Sequence, residues 1–362
     1  MVFPLIPLFA KDLGASSSLV GAVVGSFSLL SMFLAIPVGG LTDRWQTRSM
    51  LLLGAGCNIL YSVLLLLAQT VWTLVAAQVS GGLGFLLLIV ASQAYISGFS
   101  DVRLKERSFG FVTLSAAAGQ TVGPYLGGAL LARTDFATVF AAATLLSLTG
   151  LIIAALPEHR QGSEGRSPEG RMVQLGRFLA DPHLMAVFGF TFCIVFAASL
   201  RSSFLPLLLQ DKGLPEDRIG LLISLFALSM TCIRVFIGRI MGSVTRKRLA
   251  ALALSLACAG VGLVPLLETQ LALGTVLVLF GLGFGISQPL SMMLVTDLAP
   301  GEHAGLAMGL RFTTITLATF FSPILCGGVA EAFGLGGAFV AALLVVSAMG
   351  LVLAFFARRL RW

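Results

Sequence analysis

Polar positions are sparse along this chain, and they are bunched. Between the bunches run apolar stretches of about 20 residues or more, each long enough to cross ~30 Å of hydrocarbon as a helix. Eleven such spans are predicted, over 17–41, 49–69, 71–98, 108–132, 137–156, 184–209, 217–241, 249–267, 269–297, 304–330 and 336–357. A shorter apolar piece, 1–10, precedes them and is too short to cross. One long interruption, "PEHRQGSEGRSPEGRMVQLGRFLADPH" at 157–183, is rich in Gly, Ser and charge. It reads as a linker between two halves.

Composition strengthens the membrane reading. The 362 residues are 57% hydrophobic and 11% charged, with a mean hydropathy of +0.99. A water-soluble fold must still face water with most of its residues and cannot hide so much apolar surface. The net charge of +7 comes without the interleaved aromatics of a nucleic-acid surface, so no nucleic-acid partner is expected. Cys57, Cys193, Cys232, Cys258 and Cys326 all lie in apolar runs, as small buried side chains do. No Walker loop, metal cluster or catalytic triad pattern is present. No enzyme activity, metal or cofactor is expected.

Charge also orients the chain. Arg44, Arg48, Arg103, Lys105, Arg107, the linker arginines, Arg246, Lys247, Arg248 and the C-terminal arginines share one side. Lys11, Arg133, Lys212 and Arg218 fall on the other. The linker and the C-terminus are therefore expected in the cytoplasm.

The chain repeats itself. "FPLIPLFAKDLGASSSLVG" (3–21) returns as "SSFLPLLLQDKGLPEDRIG" (202–220), with an offset of 199 that aligns Pro7 with Pro206, Asp12 with Asp211, Gly14 with Gly213 and Gly21 with Gly220. The same offset aligns Phe27 with Phe226, Gly39 with Gly238, "GLGF" at 82–85 with "GLGF" at 281–284, Gly110 with Gly309 and Pro124 with Pro323. Two parallel repeats related by an axis along the membrane normal are a transporter plan. The offset also implies that the cytoplasmic half of helix one is missing ahead of Met1, and "MVFPLIP" has no positive leader of a signal peptide.

Three motifs carry a family resemblance. "GGLTDRWQTRSML" (39–51) resembles the loop between helices two and three of the major facilitator superfamily, with Gly39, Leu41, Asp43, Arg44 and Arg48 matching and Gln46 and Thr47 departing. The resemblance implies a gating loop whose aspartate pairs with a neighbouring helix. Its second-half copy has Gly242 in place of the aspartate. In "GFVTLSAAAGQTVGPYLGG", Gly110, Gly119, Gly123, Pro124, Gly127 and Gly128 fill every fixed position of a helix-five signature. That signature resembles the one in the antiporter branches of the same superfamily. Gly119, Gly123 and Gly127 are four apart and share a helical face, where small residues let helix backbones approach closely. Pro124 removes one backbone hydrogen bond and permits a bend. In "AAQVSGGLGF" (76–85), Gly82 and Gly84 resemble the drug–proton antiporter pattern. Gln78, however, stands where that family has an arginine tied to proton coupling.

Charges within the spans are functional candidates, because burying them at mid-bilayer is costly. Arg201 on helix seven is expected to face a central cavity and to recognise an anionic or polar group, and Arg311 on helix eleven is a second candidate. Arg234, one turn before Gly238, is expected to snorkel to the inner surface. Gln78, Gln120, Ser287 and Gln288 are further polar candidates. No Asp or Glu lies mid-span.

The fold expected is an all-α polytopic membrane protein of the major facilitator type, with two pseudo-symmetric six-helix bundles and helix one incomplete. Its parts are an N-terminal bundle at 1–156, a cytoplasmic linker at 157–183 and a C-terminal bundle at 184–362. The resemblance implies a multi-pass monomer in a bacterial inner membrane. It would move a small molecule, by efflux and antiport, with a proton as candidate coupling ion. An importer or uniporter of the same fold, or a transport-incompetent membrane protein, are the alternatives.

Overall fold

A computed structural model of the chain describes residues 1–41, 47–97, 102–156, 171–299 and 304–357. Lipid offers backbone groups no hydrogen-bond partner, so the apolar spans must close their own bonds as helices. A 3-10 turn, Phe3–Leu5, leads into α1, Ile6–Asp12. There follow α2 (Ser17–Leu41), α3 (Thr47–Leu66), α4 (Val71–Ser97), α5 (Val102–Leu131) and α6 (Phe136–Ala154). The second half holds α7 (Arg171–Ala180), α8 (Pro182–Asp211), α9 (Glu216–Val235), α10 (Ile237–Ser243), α11 (Arg246–Leu263), α12 (Gln270–Leu298) and α13 (Ala304–Ala357). Among the described residues, nine helices are long and apolar enough to cross a membrane. That count takes α13 as one, although Gly334 breaks it with φ +77°, and it leaves out α5, which opens on the charged stretch "VRLKER".

One expectation is corrected. The span 217–241 is divided at Phe236, where α9 ends and α10 begins. Within the stretch read as a linker, α7 fills 171–180. Leu175, Phe178 and Leu179 recur at helical spacing, and Phe178 is buried in the core.

The repeat is visible in the backbone. Gly14 and Gly213 both adopt left-handed φ, +80° and +78°, where glycine carries no Cβ penalty. Each ends its helix in the same way. Ala15 N–H reaches back to the Ala10 carbonyl (3.0 Å), and Leu214 N–H to that of Leu209 (3.1 Å), satisfying carbonyls that the helix end leaves orphaned. The crossing of α2 with α4 puts Gly82 against the Phe27 carbonyl. The crossing of α9 with α12 puts Gly281 against the Phe226 carbonyl, the same pair displaced by 199.

Each bundle is knit by neighbours of its own half: α3 packs on α4 and α6, α4 on α2, α8 on α13, and α12 on α9 and α11. Helix α8 is buried over nearly its whole length, with Phe190, Phe196 and Phe204 fully enclosed. Two seams join the bundles, α5 with α9 and α2 with α13. They too are related by the repeat, and between them lies the cavity described next.

Candidate functional site

Both seams are made by removing side chains. A Cβ on Gly220 would lie 2.5 Å from the Pro124 carbonyl oxygen and 3.3 Å from Cα of Gly128. In the other seam a Cβ on Gly327 would lie 2.8 Å from the Ser17 oxygen, and Gly21 lies against the Pro323 carbonyl. Such contact is possible only for glycine, and it brings the backbones of opposite bundles together. The helix-five glycines thus divide their work. Gly128 meets α9, with the Pro124 carbonyl beside it on Gly220. Gly123 and Gly127 lie against the backbone of Met1, each Cβ position 2.6 Å from it. Gly110 and Gly119 meet nothing within 4 Å. Of the face expected at Gly119, Gly123 and Gly127, the last two carry the Met1 contact, while Gly128, about 100° further round the helix than Gly127, carries the contact with α9.

Polar contacts add to the seams at the end of the molecule that carries the α1–α2 and α8–α9 turns. Lys11 pairs with Asp211 at 2.7 Å. Glu331 accepts from Ser16 Oγ (2.9 Å) and from Ser18 N–H (3.0 Å), capping the start of α2 from the opposite bundle. Deeper in, Ser28 Oγ donates to Thr319 Oγ1 at 2.8 Å, and Tyr125 N–H to Ser224 Oγ at 3.0 Å.

Below these contacts is a cavity of about 410 Å³ lined by both bundles. Three phenylalanines of the first half form one wall. Phe3 meets Phe27 edge-on with centroids 5.4 Å apart, and Phe27 meets Phe85 at 6.0 Å. Opposite stand Phe226 and Phe284, 5.9 Å apart, at the repeat-related positions of Phe27 and Phe85. Arg201 lies over the Phe226 ring, with Cζ 3.9 Å from its centroid, as a cation does on an aromatic face. It donates to Ser202 Oγ at 3.0 Å, while its buried Nε has no hydrogen-bond partner.

The remaining candidates separate. Gln120 and Gln288 line the cavity. Arg311 is not among its lining residues. It is buried, and it donates through Nε to Ser291 Oγ (2.9 Å) and through Nη2 to Gln288 Oε1 (2.8 Å) and to the Gln288 carbonyl (3.1 Å). Its charge is spent on tying α13 to α12. Ser287 is buried and bonds to the Phe284 carbonyl. Gln78 lies outside the cavity lining and is fully buried, and neither atom of its amide has a partner. Gly39 sits in the last turn of α2 and Arg48 in the first turn of α3. Asp43 and Arg44 lie outside the described residues.

Arg234 was expected to snorkel, yet it lines the cavity, with a buried Nε that lacks a hydrogen-bond partner. Its position was readable in one respect. Phe226, Met230 and Arg234 recur every four residues, and all three line the cavity, so the stripe that starts at the repeat-matched Phe226 carries Arg234 with it. The phenylalanine wall and the Glu331 cap were not anticipated.

Comparison with known proteins places the fold. The chain is 22% identical over 336 residues to Multidrug resistance protein 2 of Bacillus subtilis (strain 168), which covers 90% of this chain and 84% of that protein. Its fold superposes on that of a bacterial homologue of the human lysosomal transporter Spinster, solved in an inward-facing and occupied conformation. The TM-score there is 0.80, at 14% identity, covering 100% of this chain and 94% of the other. It superposes on the nucleoside transporter NupG with a TM-score of 0.79, at 13% identity over 98% and 94% of the two chains. The model of the Major Facilitator Superfamily matches residues 1–323, and the chain, a multi-pass all-α transporter fold with a cavity between two repeats, belongs to that superfamily.

Proposed function

We propose that the chain exports a small molecule across a bacterial inner membrane by alternating access, with the cavity between its bundles as the substrate site. The observation that carries this reading is a cavity lined by both repeats and sealed at one end by carbonyl-on-glycine seams. Rigid-body rocking of one repeat against the other exchanges the open end, and it parts the glycine contacts together with the few polar contacts beside them. Residues 1–156 and 184–362 are the two rocking units, joined through 157–183. The basic loops favour a cytoplasmic linker and C-terminus, which makes the sealed end the outer one. The gate at the cytoplasmic end falls to the loop of Gly39, Asp43, Arg44 and Arg48. Export is favoured by the helix-five glycines and by the multidrug relative, and antiport against a proton is the coupling we assign.

Expression in a bacterial host stripped of its own pumps tests this. A panel of fluorescent compounds is followed with and without a protonophore. Lower accumulation of at least one compound, abolished by the protonophore, supports proton-coupled export. Higher accumulation makes the chain an importer, and an unchanged level for every compound sinks the transport reading.

A further inference from the structure

The repeat makes the two sides of the cavity comparable position by position. Phe27 and Phe85 on one side answer Phe226 and Phe284 on the other, and all four line it. The arginines break this symmetry. The offset of 199 places Val2 opposite Arg201 and Ala35 opposite Arg234. Both cavity charges are thus positive, and both belong to the second half. Among the described lining residues there is no carboxylate or histidine. Neither arginine has an acidic partner within salt-bridge distance among the described residues. An arginine in an apolar surround normally finds one, because an unpaired charge there is costly. Arg311 shows how this chain treats an arginine whose task is structural: three hydrogen bonds consume it. Arg201 instead uses one donor on a neighbouring hydroxyl and rests on a ring, which orients a guanidinium without neutralising it.

We infer that the cavity takes an amphipathic organic anion, its acid group on Arg201 and its apolar body on the Phe3–Phe27–Phe85 wall of the opposite bundle. Arg234 lies two turns beyond Phe226 on the same face of α9, about 12 Å along the helix. It supplies a second positive charge that attracts the ligand without gripping it. The planar guanidinium of Arg201, with its unused donors, suits a carboxylate, sulfonate or phosphate. This inference rests on the transport reading only in taking the cavity as the substrate site.

The test measures binding, not flux. Purified full-length protein in detergent is titrated with three probes that share one ring system: naphthalene-2-sulfonate, 2-naphthalenemethanol and (2-naphthylmethyl)trimethylammonium. The sulfonate is expected to bind at least about tenfold more tightly than the cation, the difference that one charge-assisted contact makes. Arg201→Gln is expected to weaken the sulfonate about tenfold and leave the alcohol within about twofold. Arg201→Lys retains the anion preference, and Arg234→Gln costs about twofold to fivefold for the sulfonate, as a charge acting at a distance does. Three results overturn the inference: a cation bound as tightly as the anion, an Arg201→Gln loss equal for anion and alcohol, or no binding of the sulfonate. The probe comparison on the unmodified chain decides even where a variant does not fold. Failure of the transport reading looks different. An anion that binds and is never moved leaves the ligand class standing, and a cation that is bound and moved does the reverse.

Discussion

Adding one methyl group at Gly220 tests the sealing of the cavity most directly. A Cβ there would sit 2.5 Å from the Pro124 carbonyl oxygen, well inside the 3.4 Å at which ordinary contact begins. The clashing atom is backbone, so no side chain can swing away, and the seam must widen by about 1 Å. Overpacking of this kind costs about 1–3 kcal/mol, and only in the conformation where α5 and α9 touch. By the factor of ten per ~1.4 kcal/mol, Gly220→Ala should raise the ratio of parted to closed molecules about fivefold to a hundredfold. Spin labels on cysteines placed at Thr134 and Arg218, one beyond the end of α5 and one on α9, report the change. The five native cysteines are replaced by serine for this purpose. Double electron–electron resonance should show a longer-distance population growing at the expense of the short one. Gly21→Ala, in the other seam against the Pro323 carbonyl, should act the same way. With no shared contact, the double variant should combine the two effects nearly additively. A folded Gly220→Ala protein with an unchanged distance distribution would refute the reasoning, since the added carbon would then have been absorbed without opening anything.

Other outcomes follow from single side chains. Arg311→Leu removes three hydrogen bonds between α13 and α12 and takes the donor from the Gln288 amide oxygen, while Ser291 keeps its bond to the Gln288 carbonyl. It should destabilise the fold by about 1–3 kcal/mol, seen as a lower melting midpoint in detergent; an unchanged midpoint counts against a structural role. Glu331→Ala withdraws the cap on Ser16 and Ser18 and should favour parting of the α2–α13 seam by about 1 kcal/mol, measured by the same spin-label method with labels moved to that seam. Gln78→Leu exchanges a buried amide without partners for an apolar group, so stability should be unchanged or higher by up to about 1 kcal/mol; a marked fall in melting temperature would mean that the amide is bonded after all. Asp135 caps α6 by accepting from the Thr138 hydroxyl (2.6 Å) and N–H (2.8 Å), and these bonds hold its carboxyl below the ordinary value. The cap is therefore complete above the ordinary carboxylate range and is lost as pH falls through the lowered value. Amide exchange at 136–139 should rise there, and an exchange rate that follows pH chemistry alone refutes it.

Much of the fold was legible because lipid imposes one kind of segment and the repeat fixes how segments correspond. Gly14 with Gly213, and Gly82 with Gly281, could be paired before any coordinate was known, and each pair performs one task twice. Rotation of each helix about its axis was not legible. In water the polar face of a helix announces its outside. In lipid the outside is as apolar as the core, so the pattern around Arg234 or Gly119 gives no contrast to read. Arg201 and Arg311 look alike as lone arginines in apolar runs. What separates them is the company of Ser291 and Gln288 from another helix, which only packing decides. Helix α7 was hidden because the Gly, Ser and charge of 157–170 dominate the composition of the linker as a whole, although six of the ten residues at 171–180 are apolar.

Phe226, the ring beneath Arg201, belongs to the same helix as Gly220 and Ser224, which touch α5 across the seam. Six residues of α-helix, about 9 Å, separate the ring from the glycine, and no glycine or proline interrupts them. A helix this short behaves as a rod. A tilt of α9 that shifts the ring therefore shifts the glycine contact between the two bundles with it. If the cavity is the substrate site proposed above, cargo and hinge are mounted on one shaft, and closure needs no relay of intervening side chains.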